Sequence, residues 1–109
     1  MNKINEKYIL DKGFYEVEVP RYESNSVDKM FYKSYRDKDG NKRNSLEIVH
    51  YDLTHPTTGA DLSGYEIKGQ VYLTGSHNAV NLNFLEPDIE EAEMFIDKLF
   101  EAGLIENYE

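Results

Sequence analysis

Three residues near the middle of the chain, His50, Asp52 and His55, form an H-x-D-x-x-H pattern with the right donors for a divalent metal. On an extended segment His50 and Asp52 point the same way, and a turn could fold His55 back toward them. Imidazole and carboxylate ligands suit zinc, manganese or iron. The same letters also describe an ordinary strand end that leaves through Thr54, His55 and Pro56 into a turn. His77, the remaining histidine, lies in a separate turn and would have to converge on the same spot. Asp37, Asp39 and Asn41 begin like a calcium loop, but its glycine position is Lys42 and its closing glutamate position is Ile48. There is no cysteine, which removes disulfides, thiolate nucleophiles and iron–sulfur clusters. No G-x-S-x-G elbow and no glycine-rich phosphate loop occur either.

The most specific pattern lies near the C-terminus. Glu86, Glu90, Glu93, Asp97 and Glu101 recur three or four residues apart and fall within roughly 80° of one another on a helical wheel. Each step rises roughly 4.5–6 Å along a helix, comparable to the spacing of phosphates on one nucleic-acid strand. Like charges at this spacing destabilise a helix by about a few tenths of a kcal/mol per pair. Only Lys98 interrupts the run, off the stripe, and Met94 falls beside it as an apolar anchor. A face that tolerates this repulsion either serves a partner or is simply solvated.

Arg36, Lys38, Lys42 and Arg43 cluster at one hairpin tip near Phe31, Tyr32 and Tyr35. Basic and aromatic residues together suit single-stranded nucleic acid, but Asp37 and Asp39 dilute the patch. A basic tip in one copy could also meet the acidic helix of another, giving a homo-oligomer.

These groups need elements to hold them. Residues 2–12 place Ile4, Tyr8 and Ile9 at helical spacing but could equally run extended. The FYEVEV run puts Tyr15, Val17 and Val19 on one face of a strand that ends at Pro20. Met30–Tyr35 and Leu46–Leu53 read as strands joined through Asp39-Gly40, a strong hairpin signal. Tyr65, Ile67, Gly69, Val71 and Leu73 alternate with polar residues. A turn at Gly75–Asn78 leads to Val80, Leu82 and Phe84 alternating with Asn81 and Asn83. Pro87–Ala102 reads as a helix with Asp88 and Glu91 as a capping box and Gly103 as its C-terminal stop. Its apolar arc comprises Ile89, Ala92, Phe95, Ile96, Leu99, Phe100 and Ala102. The expected architecture is a single α+β domain spanning 1–109: about five antiparallel strands in hairpins with one C-terminal helix packed on one face.

The 109 residues include 12 bases and 21 acids, a net charge of −9. Residues 1–55 balance at ten of each, so all of the excess lies in residues 56–109, where eleven acids face only Lys68 and Lys98. A negative field argues against direct nucleic-acid binding. No apolar run approaches the roughly 20 residues that span a bilayer, and the start lacks the apolar core of a signal peptide. A cytoplasmic location is expected.

In size, lack of cysteine, Asn/Lys/Tyr/Glu-rich composition and the acidic helix Glu86–Glu101, the chain is similar to the small acidic inhibitors encoded by phages and mobile elements, the anti-CRISPR proteins in particular. The resemblance implies an acidic surface presented to the nucleic-acid-binding channel of a nuclease in the host cytoplasm. The leading reading is therefore a non-enzymatic binding protein without cofactor or metal. Glu86, Glu90, Glu93, Met94, Asp97 and Glu101 would contact a partner protein with a basic surface. Two alternatives stand beside it. One is a small metal-binding protein or enzyme using His50, Asp52 and His55. The other is a structural assembly subunit pairing through strand edges around Met30–Tyr35.

Overall fold

A computed structural model describes residues 2–21, 23, 26–37, 40–41, 44–72 and 79–107. The chain forms α1 (Glu6–Asp11), β1 (Tyr15–Val17), β2 (Val27–Tyr35), β3 (Asn44–Tyr51), β4 (Gly64–Tyr72), β5 (Ala79–Leu85) and α2 (Ile89–Glu101). The five strands make one antiparallel sheet in the order β1-β2-β3-β4-β5, each strand pairing with its neighbour in sequence. The fold is α+β, as the alternating strand patterns followed by one amphipathic helix require.

Register sorts the side chains onto two faces. Phe31, Ile48, Ile67 and Phe84 stand opposite one another across four strands, and Leu46, Gly69 and Leu82 form the next row. Both helices cover this face. Ala92, Ile96 and Leu99 of α2 and Ile9 of α1 are buried in one cluster with Phe31, Leu46, Ile48, Ile67 and Val71. Phe95 meets Phe84 edge-on at 5.7 Å, and Phe100 meets Tyr35 in the same way at 5.7 Å. A Cβ on Gly69 would lie 2.8 Å from Leu46 Cδ2, so any side chain there would push Leu46 aside. The opposite face is polar except at one end, where Val27, Met30 and Val49 pack with Val17, Val19 and Tyr51.

α2 is terminated at both ends by its own sequence. Glu91 N–H donates to Asp88 Oδ1 at 2.8 Å while Asp88 N–H donates to Glu91 Oε1 at 3.1 Å, a reciprocal capping box. At the other end Gly103 takes φ of 72°. Leu104 N–H then reaches Leu99 C=O and Gly103 N–H reaches Phe100 C=O, the double bond of a Schellman cap. Buried Asn44 fastens this cap to the sheet: its Nδ2 donates to Leu104 C=O and its Oδ1 accepts from Tyr72 N–H.

Several expectations need adjusting. Residues 6–11 resolve as helix because Asn5 caps them, accepting from Tyr8 N–H at 2.9 Å. β1 stops at Val17, and Tyr15 is exposed rather than core. Gly13, at φ of 93°, turns the chain so that Phe14 enters the interior instead. β2 begins earlier than expected, at Val27, through a register shift between Val27 and Lys29. β3 ends at Tyr51, before Asp52 and Leu53. The strand Met30–Tyr35 is not an outer strand of the sheet. It is second in the sheet, covered by β1 at Met30–Tyr32 and bridged at Arg36 by Glu106. Leu73, Thr74, the Gly75–Asn78 turn with His77, and Lys38, Asp39, Lys42 and Arg43 of the basic tip lie outside the described residues.

Leu99 is the C-terminal member of the buried stripe Ala92, Ile96 and Leu99 and is 7% exposed. Leu99→Ala should lower unfolding stability by about 2–5 kcal/mol in urea titrations, through lost transfer energy and the cavity left behind.

Candidate functional site

The helix stripe dictates what faces outward. With Ala92, Ile96 and Leu99 against the sheet, Glu90, Asp97 and Glu101 point to solvent, and among the described residues none of the three has an ion-pair partner. They rise along the axis by about 10 and then about 6 Å.

Two of the five stripe carboxylates, Glu93 and Glu86, lie off this row. Glu93 turns toward α1, where Lys12 Nζ lies 3.1 Å from Glu93 Oε2 and both side chains are about two-thirds covered. Tyr8 lies beneath this pair with its hydroxyl oxygen enclosed. Burial first, and then the Glu93 and Asp97 carboxylates, hold the Tyr8 hydroxyl well above its ordinary pKa. Glu86 precedes the helix, so helical spacing does not apply to it. It sits at the β5–α2 corner with φ of 48°, and its carbonyl accepts from Lys3 Nζ at 2.7 Å. Met94 is exposed but lines a groove with Phe84, Glu91, Phe95 and Lys98, on the flank of α2 facing β5.

His50, Asp52 and His55 are not brought together as ligands. The His50 ring tilts over Tyr65 at 4.6 Å, and its Nδ1 lies 2.6 Å from Asp28 Oδ1. Asp52 falls beyond the end of β3 and accepts from Ser63 Oγ at 3.4 Å. His55 Nδ1 accepts from the backbone N–H groups of Thr57 and Thr58 at 3.2 and 3.1 Å, so this ring closes its own turn. Among the described residues no group of three or more His, Cys, Asp or Glu side chains is placed to hold a metal ion.

The uncovered sheet face carries a feature that strand alternation announces only in part. Glu47, Lys68 and Asn83 stand in one cross-strand row and Ser45, Gln70 and Asn81 in the next, lining an open cleft of about 500 Å³ with Glu23 and Glu66. Alternation assigns Glu66, Lys68 and Gln70 to a wet face, yet Glu66 is 6% exposed. Both of its oxygens are taken: Tyr51 Oη donates to Oε1 at 2.8 Å and Asn83 Nδ2 to Oε2 at 3.1 Å. Burial and the bond to Glu66 push the Tyr51 hydroxyl up to about 12. Glu66 is thus a structural acceptor rather than a free base. Only long-range pairing reveals this, because Tyr51, Glu66 and Asn83 come from three different strands.

Comparison with protein-family models, curated proteins and solved structures gives no match to this chain. Among the described residues no helix is long and apolar enough to cross a membrane.

The cleft supplies a pH test. Burial holds the Glu47 carboxyl above its ordinary 4.5, with Lys68 opposing and Glu23 adding to the rise. A carboxyl that protonates more readily folded than unfolded favours folding fully below its unfolded pKa, and that contribution is lost as pH rises through the folded value. Glu47→Gln should therefore raise the melting temperature at pH 7, and the advantage should vanish near pH 3.5, where both side chains are neutral.

Proposed function

We propose that the chain is a non-enzymatic binding protein whose outer α2 face, Glu90, Asp97 and Glu101, docks on a basic, nucleic-acid-binding surface of a partner protein and competes with nucleic acid there. The supporting observation is the placement of these three carboxylates on the solvent side of a helix pinned by caps at both ends, with no ion-pair partner among the described residues. A rigid helix holds its charges at fixed spacing and so loses little freedom on docking. Complementary charge raises the association rate and favours basic partners over others.

The finer part of the proposal is an inhibitory role of the kind that phage and mobile-element proteins exert on nucleases in a host cytoplasm. It draws on the net charge of −9 and on its concentration in the second half of the chain.

The test is a variant carrying Glu90→Gln, Asp97→Asn and Glu101→Gln, compared with wild type in capture from host lysate. Wild type should retain a nucleic-acid-binding protein at low salt, release it at high salt, and be displaced by added DNA. The triple variant should bind that partner about tenfold or more weakly, mainly through slower association. Equal affinity at low salt would refute the proposal. Glu93→Gln, which strands Lys12 rather than altering the outer row, should leave association nearly unchanged.

A further inference from the structure

The two edges of the sheet are guarded differently. β1 is three residues long, carries Glu16 and runs into Glu18 and Pro20, all features that discourage pairing with another chain. β5 is seven residues long and reads Ala-Val-Asn-Leu-Asn-Phe-Leu, with no charge and no proline. Glu86 N–H donates to Tyr65 C=O at 2.8 Å, which makes Tyr65 and Glu86 a hydrogen-bonded pair continuing the β4–β5 register. Alternation along an antiparallel ladder then turns the N–H and C=O groups of Leu82 and Phe84 toward β4 and those of Asn81, Asn83 and Leu85 outward. Among the described residues no backbone group pairs with this outer side. Beside the edge runs a groove of about 390 Å³ lined by Phe84, Met94 and Phe95, with Glu91 and Lys98 on its helix wall.

We propose that β5 pairs antiparallel with β5 of a second copy, joining two five-stranded sheets across a two-fold axis, because its outward backbone groups, neutral side chains and flanking Glu91 and Lys98 are complementary to themselves. An antiparallel strand edge matches its own two-fold mate, and an isologous contact closes at two copies. In a chain of net charge −9, β5 is a seam along which two copies meet without opposed like charges. Glu91 and Lys98 stand about two helical turns apart. The two-fold reverses the groove, so that the Lys98 end of one copy runs toward the Glu91 end of the other. Leu82 and Phe84 of both copies then share the helix-covered side, and Met94 is covered. Glu90, Asp97 and Glu101 stay outward, so this inference does not rest on the function proposed above.

Sedimentation equilibrium of the intact chain from about 5 µM to about 0.5 mM decides the matter, read alongside hydrogen exchange at single amides. Wild type should pass from monomer to dimer, and the Asn81, Asn83 and Leu85 amides should exchange more slowly as concentration rises. Asn83→Pro removes an outward N–H without breaking a β4–β5 backbone bond, at the cost of the Asn83 Nδ2 bond to Glu66, and should remain monomeric with an unchanged circular dichroism spectrum. Lys98→Glu, an exposed substitution that leaves the backbone alone, should weaken the dimer about tenfold at low salt and less at high salt. It keeps the test valid should Asn83→Pro fail to fold. A wild type that stays monomeric at about 0.5 mM with those amides exchanging freely would overturn the proposal and leave the edge to a strand from another protein. A dimer that persists in well-folded Asn83→Pro would overturn it as well, by placing the contact elsewhere.

Discussion

One contact orders the rest of the molecule: the stripe Ala92, Ile96 and Leu99 of α2 pressed onto the row Phe31, Ile48 and Ile67 of the sheet. The helix-covered face holds the larger of the two buried clusters, and it sets the rotation of α2 about its axis. Once this rotation is set, Glu90, Asp97 and Glu101 must face outward, Glu93 must lean toward α1, and Met94 must lean toward β5. The caps at Asp88 and Gly103 and the Asn44 clamp hold the helix at that rotation and height.

The same arrangement explains how a chain with so uneven a charge stays folded. The acids that come near apolar packing are compensated individually: Glu93 by Lys12, Glu6 by Lys29, and Glu66 by the Tyr51 hydroxyl and the Asn83 amide. The outer acids of α2 have no ion-pair partner among the described residues, and of the three only Glu90 lies in the first turn, where the helix dipole favours it. Asp97 and Glu101 also lie toward the C-terminal end of the helix, where the dipole disfavours negative charge. Their presence is understood more readily as serving an encounter with a basic surface than as serving the fold.

Local rules made the caps of α2 and its buried arc readable in advance, because Asp88, Glu91, Gly103 and the apolar spacing all act within a few residues of one another. They also made the two faces of β4 readable through strict alternation. What escaped depended on distant partners. Nothing near Glu93 in sequence announces Lys12, and nothing near Glu66 announces Tyr51 and Asn83. Helical spacing extended past Pro87 puts Glu86 on the stripe, whereas the helix begins only at Ile89. Sequence does not number strands across a sheet, so it cannot tell that Met30–Tyr35 is second in the order, with β1 and β5 outermost. His50, Asp52 and His55 looked like ligands because spacing on a strand is silent about a strand that ends at Tyr51.

The central claim is that the outer acids of α2 serve binding and not folding. The most direct measurement is the urea midpoint, at low salt, of the chain with residues 90, 97 and 101 neutralised to Gln, Asn and Gln. Relief of repulsion along the helix predicts a midpoint equal to or above that of wild type, with the difference fading as salt is added. A lower midpoint would show that these carboxylates support the fold, and would contradict the account.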